Sequence, residues 1–97
     1  MIVHLTDEAA RDIEEIGDRI ALDHPARAVR FVRELRERCF SLAEMPRRFP
    51  LVERYEAAGV RRCLHGSYLI FYRIESERVV IVHVLHGAQE YAAILFP

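Results

Sequence analysis

Seven residues in the second half of the chain carry groups that do chemistry: Arg61, Arg62, Tyr68, Tyr72, Arg73, His83 and His86. They stand within Gly59-Val-Arg-Arg-Cys-Leu-His-Gly-Ser-Tyr-Leu-Ile-Phe-Tyr-Arg-Ile and, after a short turn, Val79-Val-Ile-Val-His-Val-Leu-His-Gly. A sheet built only to hold a fold needs apolar and neutral polar residues. Guanidiniums, phenols and imidazoles at this density are the groups that grip phosphate or an acidic partner.

Side chains alternate along a strand, so Tyr68, Ile70, Tyr72 and Ile74 share one face while Leu69, Phe71 and Arg73 share the other. Arg61 and Arg62 then point to opposite faces, and at most one of them joins Arg73. The other reading makes both edge charges that discourage sheet-to-sheet association. His83 and His86, three residues apart, face opposite ways in a regular strand, which speaks against a zinc pair. His86, at a strand end before Gly87, reads either as a proton carrier in phosphodiester chemistry or as a histidine that orders the strand terminus. Tyr68 and Tyr72 read as aromatics at the edge of the core whose hydroxyls remain available to a ligand. His4 and His24 read as structural. The chain has no Ser-His-Asp triad, phosphate-binding glycine loop or paired-cysteine motif, and neither a metal nor a cofactor is expected.

These residues need a frame, and 97 residues leave room for one domain with a modest core. No apolar run approaches the length of a membrane span, and the N-terminus lacks the pattern of a secretory signal, so a cytoplasmic location is expected. Cys39 and Cys63 then read as reduced core residues. The formal net charge of -1 is unevenly spread. Residues 1–45 hold seven Arg against ten acids, a balance of -3, and residues 46–97 hold seven Arg against five, a balance of +2. With no lysine and this net charge, direct sequence-specific nucleic-acid binding is not expected. A local basic face suits an acidic protein segment.

Ile2 to Leu5 reads as a first strand. Thr6 is a helix N-cap with Asp7 and Glu8 in the first turn, and Ala9, Ile13, Ile16 and Ile20 form a buried stripe as far as Ala21. Pro25 opens a second helix whose inner face carries Ala28, Val32, Leu35, Cys39 and Leu42. Pro46 stops it, and residues 45–55 form an irregular crossing anchored by Phe49 and Leu51. Three strands follow, with turns at Gly66-Ser67 and at 75–78, and the tail from Ala88 to Phe96 is a short helix or a strand remnant. The expected class is α+β, in the order β-α-α-β-β-β, with a helix hairpin packed on an antiparallel sheet. A hairpin covers one face of the sheet, so the other is expected to be a concave apolar docking surface.

This order, with Phe49-Pro50, Gly59-Val-Arg, Ile70-Phe-Tyr-Arg and Val84-Leu-His-Gly-Ala in place, resembles a ParE-type toxin of the RelE/ParE superfamily over essentially the whole chain. The resemblance implies a bacterial toxin, plasmid- or chromosome-encoded and serving plasmid stabilization. It would be held in a hetero-oligomer with a cognate ParD-like antitoxin that has an acidic C-terminal segment. ParE-type members act on DNA gyrase, whereas RelE-type members cut messenger RNA on the ribosome. The lack of lysine favours the gyrase branch, with Arg61, Arg62, Arg73, His83, His86 and Gln89 as the target-facing set. Ile16, Ile20, Phe31, Leu35, Tyr68 and Tyr72 are then the expected antitoxin contacts. In the endonuclease alternative, Arg61 and Arg73 steady the phosphorane while His86 and Tyr91 move protons. The chain departs from its relatives after the His-Gly phrase, where they often carry arginine and it has Gln89-Glu90. A non-toxic, partner-binding relative is the third alternative.

Overall fold

The computed structural model describes residues 1–97 and has the expected order, with one short helix added at the C-terminus. Strand β1 (Ile2–Leu5) leads into helix α1 (Asp7–Ala21), which a short turn joins to α2 (Pro25–Ser41). An irregular crossing with one 3-10 turn at Glu56–Ala58 reaches β2 (Arg61–His65), β3 (Tyr68–Glu75), β4 (Arg78–His86) and α3 (Tyr91–Leu95). The strands lie in the order β1-β4-β3-β2.

Local chemistry sets the helix ends. Thr6 is extended, and its Oγ1 accepts the Ala9 N–H at 3.2 Å, so α1 starts where Asp7 and Glu8 meet the positive end of the dipole. Ala9, Ile13 and Ile16 are its buried stripe. Pro25 opens α2, whose buried face is Ala28, Leu35 and Cys39. The hairpin closes tightly because Gly17 has no side chain: a Cβ there would lie 2.8 Å from Val32 Cγ2.

The sheet is antiparallel-dominated, as expected, with one parallel pair at its edge. β2, β3 and β4 form an antiparallel meander, but β1 pairs parallel to β4, Val3 against Val79 and Leu5 against Ile81. Parallel neighbours require a long crossover, and the whole hairpin with two strands supplies it. An irregularity lies inside β4. Phe71 pairs with His83 and Tyr72 with Ile81, which leaves Val82 as an extra residue, a β-bulge. Alternation along β4 therefore changes parity, and Val79, Ile81 and Val84 all join the core beneath the helices.

That core is built from Ile13, Leu35, Cys39, Leu42, Cys63, Ile70 and Tyr72 together with the β4 residues. The opposite face of the sheet is not the open concave surface expected. Leu69, Phe71 and Leu85 on that face join Val52 and Val60 of the crossing, and Val82, Tyr91, Leu95 and Phe96 pack against them. The stacked rings of Tyr55 and Phe96, 4.3 Å apart, tie the crossing to the tail.

Tyr72 joins the sheet to the end of α2. Its ring is fully buried, and its hydroxyl donates to the Pro46 carbonyl at 2.6 Å. Burial, the largest influence, pushes this phenol up from 10.0 to about 12, against an opposing pull from Arg61. A raised folded value means stability present below pH 10 and lost as pH rises toward about 12. Tyr72→Phe is expected to cost about 1 kcal/mol in urea unfolding at neutral pH. Its deficit should shrink between pH 10 and about 12, because Phe has no proton to lose. A deficit that stayed constant over that window would show that the phenol does not titrate with unfolding.

Candidate functional site

The residues singled out from the sequence do not meet at one place. Cys63 belongs to the helix-side core, so Arg61 and His65 share its face while Arg62 and Leu64 turn the other way. Arg73 lies with Phe71 on that other face and is paired with Glu75. Hydrogen bonding to Arg73, more than its charge, holds the Glu75 carboxyl below the usual range. Tyr91 is also there, its ring 5.0 Å from Phe71. His86 sits opposite Tyr68, and Arg73 is five residues further along β3, about 17 Å at the usual rise of an extended strand. Arg73 and Tyr91 are thus separated by the sheet from His86.

Arg61 is engaged within the fold. Its Nη1 donates to the carbonyls of Phe49 at 2.7 Å and Arg47 at 3.2 Å, which clamps the crossing segment onto β2. Phe49 completes this clamp beneath two further guanidiniums, Arg48 at 4.7 Å and Arg38 at 5.3 Å from the ring centre. An arginine held in this way is not free to steady a phosphorane.

His83 and His86 each make contacts within the fold. By register they do face opposite ways, His83 opposite Phe71 and His86 opposite Tyr68, yet both reach α1, His83 at the edge of β4 that β1 leaves open. His83 Nδ1 is 2.8 Å from Asp12 Oδ2, and since a carboxylate only accepts, Nδ1 carries the proton. The same oxygen accepts the Val84 N–H at 2.9 Å. His86 orders the strand end, one of its two readings: its Nδ1 accepts the Ala88 N–H at 3.1 Å. Gln89 Oε1 accepts the His86 N–H at 2.8 Å, so Gln89 caps the strand. No group of three or more His, Cys, Asp or Glu is gathered as a metal would require.

The expected antitoxin contacts divide by burial. Leu35 and Tyr72 are completely buried and Ile16 nearly so, because their positions face the sheet; they have no surface to offer a partner. Ile20, Phe31 and Tyr68 are half-buried and line a cavity at the turn end of the hairpin, along with His86. The hairpin also has a groove whose lining residues the sequence reading did not name among the antitoxin contacts. It runs between α1 and α2, on the side away from the sheet, with a volume of about 610 Å3 over Gly17, Ala21, Ala28, Val29 and Val32, and with Glu14, Asp18 and Arg36 at its rims. Val29 is 69% exposed at this groove, and Leu22 is 84% exposed in the turn beyond Ala21. The signal for it was the pair of small residues, Gly17 and Ala21, one turn apart on the outer side of α1.

This fold is similar to chains from two solved toxin–antitoxin systems. The chromosomal ParDE system of P. aeruginosa matches with a TM-score of 0.77 and 20% identity, over 89% of this chain and 95% of that one. The RelBE2 toxin–antitoxin complex of Mycobacterium tuberculosis matches with a TM-score of 0.64 and 31% identity, over 88% and 95%. None of the curated proteins matches the sequence. The model of the ParE toxin of the type II toxin–antitoxin system parDE matches residues 3–91, and the chain belongs to that family.

Since Arg61 acts as a clamp, Arg61→Ala should free the Arg47 and Phe49 carbonyls and cost about 1–3 kcal/mol in urea unfolding. Amide exchange should speed up selectively over residues 47–52. An Arg61→Ala protein as stable as the parent would place this guanidinium outside the structural frame.

Proposed function

We propose that the protein poisons DNA gyrase in the cytoplasm, by binding and stabilising the cleaved-DNA complex rather than by chemistry of its own. Its family membership supports a toxin of a type II system, and the scatter of its reactive residues supports action by contact. RNA cleavage needs an acid, a base and a cation within hydrogen-bond reach of one phosphate. Here Arg61 is held by backbone carbonyls, and Arg73 and Tyr91 lie across the sheet from His86. The ribonuclease reading has in its favour the 31% identity with the RelBE2 complex. The residues it would use, Arg61, Arg73, His86 and Tyr91, are not gathered at one place.

In this reading a cognate antitoxin of ParD type silences the toxin, with an amphipathic helix laid in the groove between α1 and α2 and an acidic C-terminal segment drawn to α2. The groove has the small floor and apolar wall that helix-in-groove recognition uses. Helix α2 carries five arginines and two acids, a balance of +3, whereas α1 carries six acids and two arginines, a balance of -4. An acidic segment is therefore steered to one side of the hairpin.

Purified protein is expected to stop supercoiling and to accumulate cleaved DNA in a gyrase assay, and to leave messages intact on translating ribosomes. Intact supercoiling with cuts in ribosome-bound messages would overturn the reading. Val29→Asp, at an exposed position, should leave the melting temperature unchanged and weaken antitoxin binding at least about tenfold by calorimetry. Unchanged affinity would move the antitoxin off this groove.

A further inference from the structure

Where α1 turns into α2, a cavity of about 490 Å3 opens against the turn between β2 and β3. The hairpin contributes Arg19, His24 and Arg27 to its wall, and the sheet contributes Ser67, Tyr68 and His86. Asp23 is the one acid in the wall, so the two guanidiniums leave a balance of +1 with the imidazoles neutral. Neither guanidinium has a carboxylate within ion-pair distance; the molecule's two pairs are Arg73 with Glu75 and His83 with Asp12. Two unpaired cations facing one cavity repel each other until an anion enters.

Three further features point the same way. Helix α2 begins at this cavity with no side-chain cap and no acid in its first turn, so no side chain of its own answers its first N–H groups. The Nδ1 of His86 accepts from Ala88, which places the ring proton on Nε2 as the remaining donor. Ser67 and Tyr68 add hydroxyls. Two guanidinium forks, an imidazole, two hydroxyls and a helix terminus offer more donors than the two oxygens of a carboxylate can use. The terminal oxygens of a phosphate monoester match them better.

The space is too large for phosphate alone and lies in the usual range of small-ligand sites, about 300–1,000 Å3. Beside the donors, the half-buried rings of Phe31 and Tyr68, 5.7 Å apart and tilted 56° to each other, offer an apolar corner in which one ring face can stack a base. We infer that this cavity binds a nucleotide, with its phosphate on Arg19 and Arg27 and its base against Phe31 and Tyr68. The inference does not depend on the gyrase or antitoxin reading.

Titration of the isotope-labelled chain with AMP, adenosine, inorganic phosphate and a glutamate-rich peptide, followed by amide chemical shifts, tests it. AMP should saturate below millimolar concentration and shift Ser67, Tyr68 and His86. Adenosine and inorganic phosphate should each bind at least about tenfold more weakly, since each lacks one half of the contacts. Arg19→Gln and Arg27→Gln, both at exposed positions, should each weaken AMP about tenfold while leaving the melting temperature unchanged. Absence of saturation, shifts confined to other surfaces, or unchanged affinity in both variants would overturn the inference. Tighter binding of the glutamate-rich peptide than of AMP would also overturn it and give the cavity to an acidic protein segment.

Discussion

Strand β4 outruns its neighbour. β1 stops at Leu5, paired with Ile81, while β4 continues to His86, so from Val82 onward its outer edge has no strand beside it. Buried backbone groups left without partners cost more than most single contacts return. Residues of the first helix region fill that edge. The Thr6 N–H donates to Ile81 O at 3.2 Å and its Oγ1 to the same carbonyl at 2.7 Å. One turn into the helix and beyond, the Asp12 carboxylate accepts from Val84 and His83. Gln89 then closes the last position. Thr6 therefore both caps α1 and seals the sheet, which fixes where the helix leaves the strand and at what angle it crosses. The placement of α2, the groove and the cavity all follow from that exit.

The bulge belongs to the same constraint. At Val82 the chain inserts one residue where strand pairing on one side has ended, and the insertion changes which side chains face the helices. Without it, strict alternation would carry His83 to the face of Val79 and Ile81 and turn Val84 and His86 away from the hairpin. With it, Val84 fills the core and His86 reaches the cavity wall. A single extra residue thus puts the His86 imidazole on the hairpin side of the sheet.

This also explains what could be read from the sequence. The helices were legible because Thr6, Asp7 and Glu8 mark a start and Pro25 marks another, and because the apolar spacing of Ile13, Ile16, Leu35 and Cys39 suits only a helix facing a sheet. The strands were legible from their β-branched and aromatic density. The bulge was not, since Val82 looks like its neighbours, and it decides which residues beyond it face the helices. Nor could the sequence show that the Phe49 and Arg47 carbonyls would occupy Arg61, or that the tail would cover the second face. Those depend on where an irregular segment lies, and it has no period to read. The candidate residues were correctly seen as reactive types, but their grouping is a property of register.

Arg19 and Arg27 went unnoticed for a related reason. On paper they are two of seven arginines and several acids strewn over two amphipathic helices, the ordinary look of a solvated face. The hairpin turn separates its flanks along the chain while bringing them to one end of the molecule, so residues on either side of it become neighbours across a cavity. The strongly acidic α1 and basic α2 balance each other only on average. At the turn, where α1 is ending in Arg19 and α2 is beginning without an acid, both contributions are positive, and the sheet supplies Ser67, Tyr68 and His86 rather than a carboxylate. A chain with a formal net charge of -1 therefore still concentrates cationic and donor groups at one place, and fold topology, not composition, puts them there.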